Sequence, residues 1–289
     1  MATERASQPA SGFSWTYEPL TDEQFRKFSS LVYRLTGIYL RDEKKALLNA
    51  RLSKRLRAGS FASFDDYFQY VTSDDSGQEL VELINSVSTN FTSFFREQDH
   101  FDCLVQTVLP ELTGRLRDHR RELTLWSAAC SSGEEPYTMA MVLAEYFRQQ
   151  PGWRYRITGT DISTRVLDRA SRGVYSQDQI SKVPRELLLR YFKKGVGRSE
   201  GLVKVREDLR RQVTFQRFNL MDPFPWTEAF DVIFCRNVMI YFDQATQQAL
   251  IDKFHRALLP DGHLFIGHSE SLTFIRHSFR QVATTVYRK

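Results

Sequence analysis

From Leu123 to Tyr287 the chain alternates short apolar runs with longer amphipathic segments, which restricts it to an α/β layer fold with a mainly parallel sheet. Strands are predicted at Leu123–Ala129, Arg156–Thr160, Val213–Phe218, Phe230–Cys235 and His263–Gly267, with a terminal pair of short strands near Phe279 and Thr285–Tyr287. Helices are predicted between them, from Pro136 to Phe147, Ser163 to Ser171 and Ala245 to Leu258. The order reads as doubly wound. Ligands of such sheets lie beyond the carboxyl ends of the central strands, so the loops after these runs are where chemistry is sought.

The N-terminal part follows another rule. Residues 1–18 are rich in Ser, Ala, Pro and Thr without apolar periodicity, as a flexible tail would be. Thr21 and Gln24 have capping-box spacing, and Phe25, Phe28, Leu31, Val32 and Leu35 recur at helical intervals until Gly37. Further helices are predicted at Asp42–Ala58, Ser63–Thr72 and Gly77–Val87. Residues 19–85 thus form a small all-helical domain, and residues 86–289 an α/β domain.

The net charge of +5 is concentrated locally. Between Arg41 and Arg57 stand seven cations against two carboxylates. At about 100° per residue, Lys44, Arg51 and Arg55 share one stripe, with Lys54 on its flank, while Leu48, Leu52 and Leu56 form the adjacent apolar face. The Leu face is expected to pack and the cations, Arg57 included, to point outward toward an acidic partner. A solvated basic face is the alternative, but solubility alone favours mixed signs.

No run approaches the roughly 20 apolar residues of a membrane span, and the first residues lack the apolar stretch of a signal peptide, so a cytoplasmic protein without membrane insertion is expected. Cys103, Cys130 and Cys235 are odd in number, far apart and outside any CxxC spacing. They read as reduced thiols, and no metal is expected.

The loop after the first strand, Ser127 to Pro136, is built of small residues before a helix, which lets backbone approach a ligand closely. It is not the GxGxxG of a dinucleotide site, and Glu134 and Glu135 place negative charge where a pyrophosphate would need the opposite. Carboxylates suit a cationic ligand, such as one bearing an α-amino group and a sulfonium, although Glu at a helix start also stabilises the helix dipole. Asp161 ends the second strand, where an acidic residue accepts hydrogen bonds from ribose hydroxyls or caps the next helix. Asn219 and Leu220 follow the third strand and can frame an adenine ring, Asn219 equally being a turn residue. After the buried run Val232–Cys235, the polar pair Arg236 and Asn237 emerges where the ligand should lie. At the domain junction, TNFTSFFRE mixes Asn90, Thr92 and Arg96 with phenylalanines at helical spacing.

TNFTSFFRE, WSAACSSGEEPYTMA, TDIS, FDVIFCRNVMIYF and LLPDGHLFIGHSE together resemble, in order and spacing, the chemotaxis receptor glutamate methyltransferases of the CheR family. That resemblance implies a Rossmann-like S-adenosylmethionine-dependent methyltransferase fold with an N-terminal helical domain and an inserted small antiparallel β subdomain, here at about residues 188–212. It implies S-adenosylmethionine contacts from Asn90, Thr92, Arg96, Glu134, Asp161, Asn219, Leu220, Arg236 and Asn237, with Arg96 and Tyr241 facing the reacting centre. The product would be S-adenosylhomocysteine and a glutamyl methyl ester. Relatives dock a short C-terminal receptor peptide on the β subdomain by strand addition. Lys194 and Lys204 stand where a peptide-binding relative has arginine, and lysine does not reproduce a bidentate fork. The basic stripe then has a partner, the acidic face around methylation sites of a chemoreceptor, and a monomer is expected.

A glutamate carboxylate, with a pKa near about 4.3, is ionised at neutral pH and needs no general base. His268 is therefore read as structural. A nucleic-acid amino-methyltransferase would carry an Asn/Asp-Pro-Pro-aromatic string after the fourth strand, and CRNVMIY has no prolines. A non-catalytic cofactor-binding module is the other class considered, disfavoured by the intact Arg96, Arg236, Asn237 and Tyr241 set. A nicotinamide dehydrogenase is disfavoured by the missing glycine fingerprint.

Overall fold

Thr21 caps the first helix as its spacing requires: its side chain accepts from the Gln24 N–H while Gln24 reaches back to the Thr21 N–H. The computed structural model describes residues 17–116 and 120–289, so most of the expected tail lies outside the described residues. Four helices form the N-terminal layer: α1 (Asp22–Thr36), α2 (Lys45–Gly59), α3 (Phe64–Ser73) and α4 (Gln78–Val87). Their facing stripes, including Phe25, Phe28, Leu48, Leu52, Leu56, Tyr67 and Leu83, close a core of their own. Ser63 caps α3, and Gly37 ends α1 in the left-handed conformation (φ 72°) that an L side chain rarely adopts.

The basic stripe requires correction. Only Lys44, Lys54 and Arg57 are exposed. Arg55 turns back onto α4 and pairs with Glu79, which is buried and also accepts from the Tyr67 hydroxyl at 2.9 Å. A carboxylate buried between packed helices needs a cation, and Arg55 supplies it. Arg51 is half-buried: its guanidinium donates to the Val87 carbonyl and, at 3.0 Å, to Thr89 Oγ1.

Beyond residue 90, α5 (Gln98–Cys103) runs through a wide turn into α6 (Leu109–Leu116), followed by β1 (Glu122–Ala128), α7 (Glu134–Arg148), β2 (Arg154–Asp161) and α8 (Thr164–Arg172). Next come β3 (Val174–Ser176), α9 (Arg185–Tyr191), β4 (Phe192–Lys194), β5 (Leu202–Val205), α10 (Glu207–Arg210), β6 (Val213–Arg217) and β7 (Phe230–Cys235). The chain closes with α11 (Gln244–Ala257), β8 (Leu258–Ile266), β9 (Arg280–Ala283) and β10 (Val286–Arg288). Seven strands form one sheet in the order β6-β2-β1-β7-β8-β10-β9, parallel from β6 to β8 and antiparallel at β10 and β9. Alternation along the strands feeds two cores: Leu123, Leu125, Val232 and Phe234 face one layer, and Trp126, Ala128, Ile233 and Cys235 the other. With both faces covered, β7 is buried along its whole length, as the apolar run Val232–Cys235 demands, and Asp231 is buried with Arg120 as its partner.

A separate antiparallel sheet, β3-β5-β4, stands on the insertion. Two of its strands fall within 188–212; the third, Val174–Ser176, comes from before it. After β1 the chain adds β2 and β6 on one side, then returns to add β7 and β8 on the other, so the order reverses between β1 and β7. The crevice lies at that reversal.

Candidate active site

A cavity of about 1000 Å³ opens beyond the carboxyl ends of β1, β2, β6 and β7 and is walled on its far side by the helical domain. Asn90, Thr92, Arg96, Asp161, Asn219, Leu220, Arg236, Asn237 and Tyr241 all line it. Lys44 and Arg51 line it as well, whereas Lys54, Arg55, Arg57, Lys194 and Lys204 stand away from it.

The first loop is shaped by its small residues. Ala129, Ser131 and Gly133 are all left-handed (φ 64°, 50° and 94°), and the Ser131 N–H donates to Asp161 Oδ2 at 2.8 Å. Asp161 Oδ1 accepts from the Ser163 N–H at 2.9 Å, so the carboxylate braces two loops while facing the cavity. Burial pushes its pKa up, against those backbone donors. Ser131 Oγ donates to the Asn90 carbonyl at 2.9 Å, tying the loop to the domain junction.

Glu134 and Glu135 have separate roles, and the implied one needs correction. Glu134 is not among the cavity residues: Ser132 Oγ donates to it at 2.7 Å and Gln179 Nε2 at 3.3 Å, beneath the loop. Glu135, one residue further round the helix, lines the cavity. It accepts from Ser127 Oγ at 2.7 Å and from Arg236 Nη1 at 3.1 Å.

Arg236 is buried, held by Glu135 on one side and Glu97 on the other, with its Nη2 also donating to the Arg96 carbonyl. Burial opposes ionisation of Glu97, but the Asn237 amide and the Arg236 guanidinium outweigh it and hold the carboxyl below its usual range. Asn237 is left-handed (φ 59°) and its Nδ2 donates to Glu97 Oε1 at 3.0 Å; a Cβ on Gly267 would come within 2.5 Å of that amide. Glu270 completes the arrangement. Its buried carboxylate accepts the backbone N–H groups of Gly267, Asn237, Met239 and Ile240, at 2.6, 3.0, 2.8 and 3.3 Å, and so holds the turn between Arg236 and Tyr241.

Glu97, His100 and His268 bring their ligand atoms within 4.8 Å of one another. The Glu97 oxygens are already claimed by Arg236, Asn237 and the His268 N–H, so a metal ion there would have to displace a guanidinium.

Asn219 donates to the Leu35 carbonyl at 2.7 Å and accepts from the Met221 N–H at 3.0 Å. The Tyr39 N–H donates to the Tyr241 carbonyl at 2.8 Å, and Tyr33 Oη to Asp243 Oδ2 at 2.8 Å. The helical domain is therefore part of the site wall. Arg96 lies 5.4 Å from the Phe91 ring centroid and donates to the Phe91 carbonyl at 3.0 Å. On its sheet side the cavity presents Asp161 and Glu135, the latter paired with Arg236, while toward the helical domain the cations Arg41, Lys44, Arg51 and Arg96 outnumber the carboxylates Glu43 and Asp243. Glu97 and Glu270 were present in the sequence motifs without a role, because only the folded turns reveal which groups each carboxylate braces.

Residues 23–88 match the family described as "CheR methyltransferase, all-alpha domain", and residues 90–288 that described as "CheR methyltransferase, SAM binding domain". The chain belongs to the CheR methyltransferase family. It is 41% identical over 269 residues to the "Chemotaxis protein methyltransferase" of Escherichia coli strain K12, covering 93% of this chain and 91% of that one. It is also 41% identical to the "Chemotaxis protein methyltransferase" of Borreliella burgdorferi (88% of this chain, 89% of that one) and to the "Chemotaxis protein methyltransferase 2" of Pseudomonas aeruginosa (92% and 93%). This CheR methyltransferase uses S-adenosylmethionine, and its donor set fits: small-residue backbone for close approach, and the Asp161 and Glu135 carboxylates for hydroxyl and ammonium groups. No helix among the described residues is long and apolar enough to cross a membrane.

Proposed function

We propose that this protein methylates glutamate side chains of chemoreceptor cytoplasmic domains, leaving glutamyl methyl esters, and does so as a cytoplasmic monomer. The observation that carries the reading is the polarity of this cavity: Asp161 and Glu135 on the sheet side, and an excess of cations over carboxylates, Arg51 and Arg96 among them, where an anionic acceptor would enter. S-adenosylmethionine supplies a methyl group on a positively charged sulfur. An acceptor carboxylate oxygen forms the new O–CH3 bond as the S–CH3 bond breaks, and no proton has to move. The work of this chain's residues is alignment and exclusion of water.

Arg96, packed on Phe91, orients the acceptor, and Tyr241 forms the opposite wall. Asp161 and Asn219 with Leu220 serve the ribose and adenine ends, Glu135 takes the place implied for Glu134, and Asn90 and Thr92 complete the junction side. Arg236 and Asn237 act through the Glu97 and Glu270 braces. Lys44, Arg51, Lys54 and Arg57 form a basic approach for an acidic receptor helix. The exposed edge of β4, with Lys194 and neighbouring Lys204 on β5, offers main-chain partners to a receptor's C-terminal peptide.

Transfer of radiolabelled methyl to a purified chemoreceptor cytoplasmic domain, released by mild base, tests the reading. Label on nucleic acid, or none on the receptor despite cofactor binding, refutes it.

A further inference from the structure

Among the described residues, twelve large hydrophobic side chains are exposed, and five of them (Tyr39, Leu47, Phe91, Ile240 and Phe274) line this one cavity. Phe91 is 75% and Phe274 82% exposed, values that place them at the rim rather than within the cavity. They come from both domains: the segment after α1, α2, the domain junction, the turn after β7 and the loop after β8. Apolar side chains scattered singly on a surface need no account, but a set gathered around one opening does.

The rim is also basic. Arg41, Lys44 and Arg51 share it against Glu43 and Asp243, and the exposed Lys54 and Arg57 continue the cationic excess along α2. Exposed apolar side chains set among charges at one opening suit a protein-docking surface whose energy comes from a few anchors buried on binding. A second copy of this chain is a poor occupant, because it would oppose like charges. The cofactor is a poor occupant too, since Phe274 points to solvent while the carboxylates suited to that ligand lie within.

We infer that Leu47, Ile240, Phe91 and Phe274 form an apolar collar that selects the acceptor: the glutamate enters with apolar side chains of its own acidic helix beside it, and these seat on the collar. The inference rests on the chemoreceptor reading and adds to it the residues that set specificity. The cations steer and the collar holds. A glutamate in a purely polar stretch enters the same electrostatic field but finds no purchase at the rim.

Phe274→Ser and Leu47→Ser test this, as both side chains are exposed and neither belongs to the cofactor or reacting groups. The KM for the receptor domain should rise about tenfold in each, with kcat and the affinity for S-adenosylhomocysteine unchanged. Added salt should weaken wild type and variants in parallel, since the lost contact is apolar. An unchanged KM overturns the collar, as does loss of S-adenosylhomocysteine affinity, which would assign these side chains to the cofactor. Loss of co-sedimentation with anionic phospholipid vesicles alongside an unchanged KM would instead assign the rim to a membrane surface and overturn it. Receptor-domain binding without turnover separates the two readings. A wild-type chain that binds and fails to methylate refutes the catalytic reading, while weaker binding by Phe274→Ser still supports the collar.

Discussion

Glu97 and Arg236 form a buried ion pair, Oε2 to Nη2 at 3.0 Å, across the junction between the segment that carries Arg96 and the turn that follows β7. The second guanidinium nitrogen reaches Glu135 at 3.1 Å, so one cation fastens two acidic residues from different elements. Glu97→Gln keeps the shape and removes the charge. The variant should lose about 2 to 3 kcal/mol of stability, less than a fully orphaned buried charge because Glu135 remains. Denaturant titration measures it, and an unchanged midpoint would show that the pair contributes nothing.

Glu270 touches no substrate in this arrangement; it positions the backbone that bears Arg236, Asn237 and Tyr241. Glu270→Gln replaces one acceptor oxygen with a donor facing N–H groups. We expect kcat to fall at least about tenfold while the protein stays folded. Restored kcat in Glu270→Asp would favour the positioning role, and a loss of stability matching the loss of activity would reduce it to a structural one.

Asp161→Asn should weaken S-adenosylhomocysteine binding about tenfold, the loss of one charge-assisted hydrogen bond. Asparagine can still accept from Ser131 or Ser163, so the loops should hold. Calorimetry showing unchanged affinity would remove Asp161 from the cofactor site.

Burial, aided by the Arg236 charge, pushes His100 down to about 3, and burial pushes His263 down to about 4. Both are neutral in the folded protein, while an unfolded histidine titrates near about 6.5. Their contribution to stability is therefore complete above that value and is lost as the pH falls through the window toward the folded values. Unfolding free energy should drop between pH 7 and pH 5, and His100→Gln should flatten the slope. An identical slope in the variant would contradict this.

The alternating runs after Leu123 were enough to read the parallel sheet, and β7 matches its expected bounds because a run that is apolar except for Asp231 has one use in such a fold. Loop contents were legible as well: most of the polar residues expected around the ligand line one cavity. Orientation was not. Periodicity placed Arg55 on the stripe of Lys44, but the partner that draws it inward, Glu79, lies on another helix. Glu134 and Glu135 are chemically identical neighbours, and only the start of α7 decides which lines the cavity. The third strand of the small sheet, three residues long, is too short to carry a period.

Gly37 stands at the seam between the domains, where a Cβ would collide with the sulfur of Met221. With Asn219 reaching Leu35 a few residues away, the junction is cut to the atom on both sides. Chimeras that join this helical domain to the catalytic half of a relative will succeed only where the residues at 37 and 221 are compatible. Exchanging the helical half alone would set a foreign residue 37 against Met221, so the seam has to travel with it.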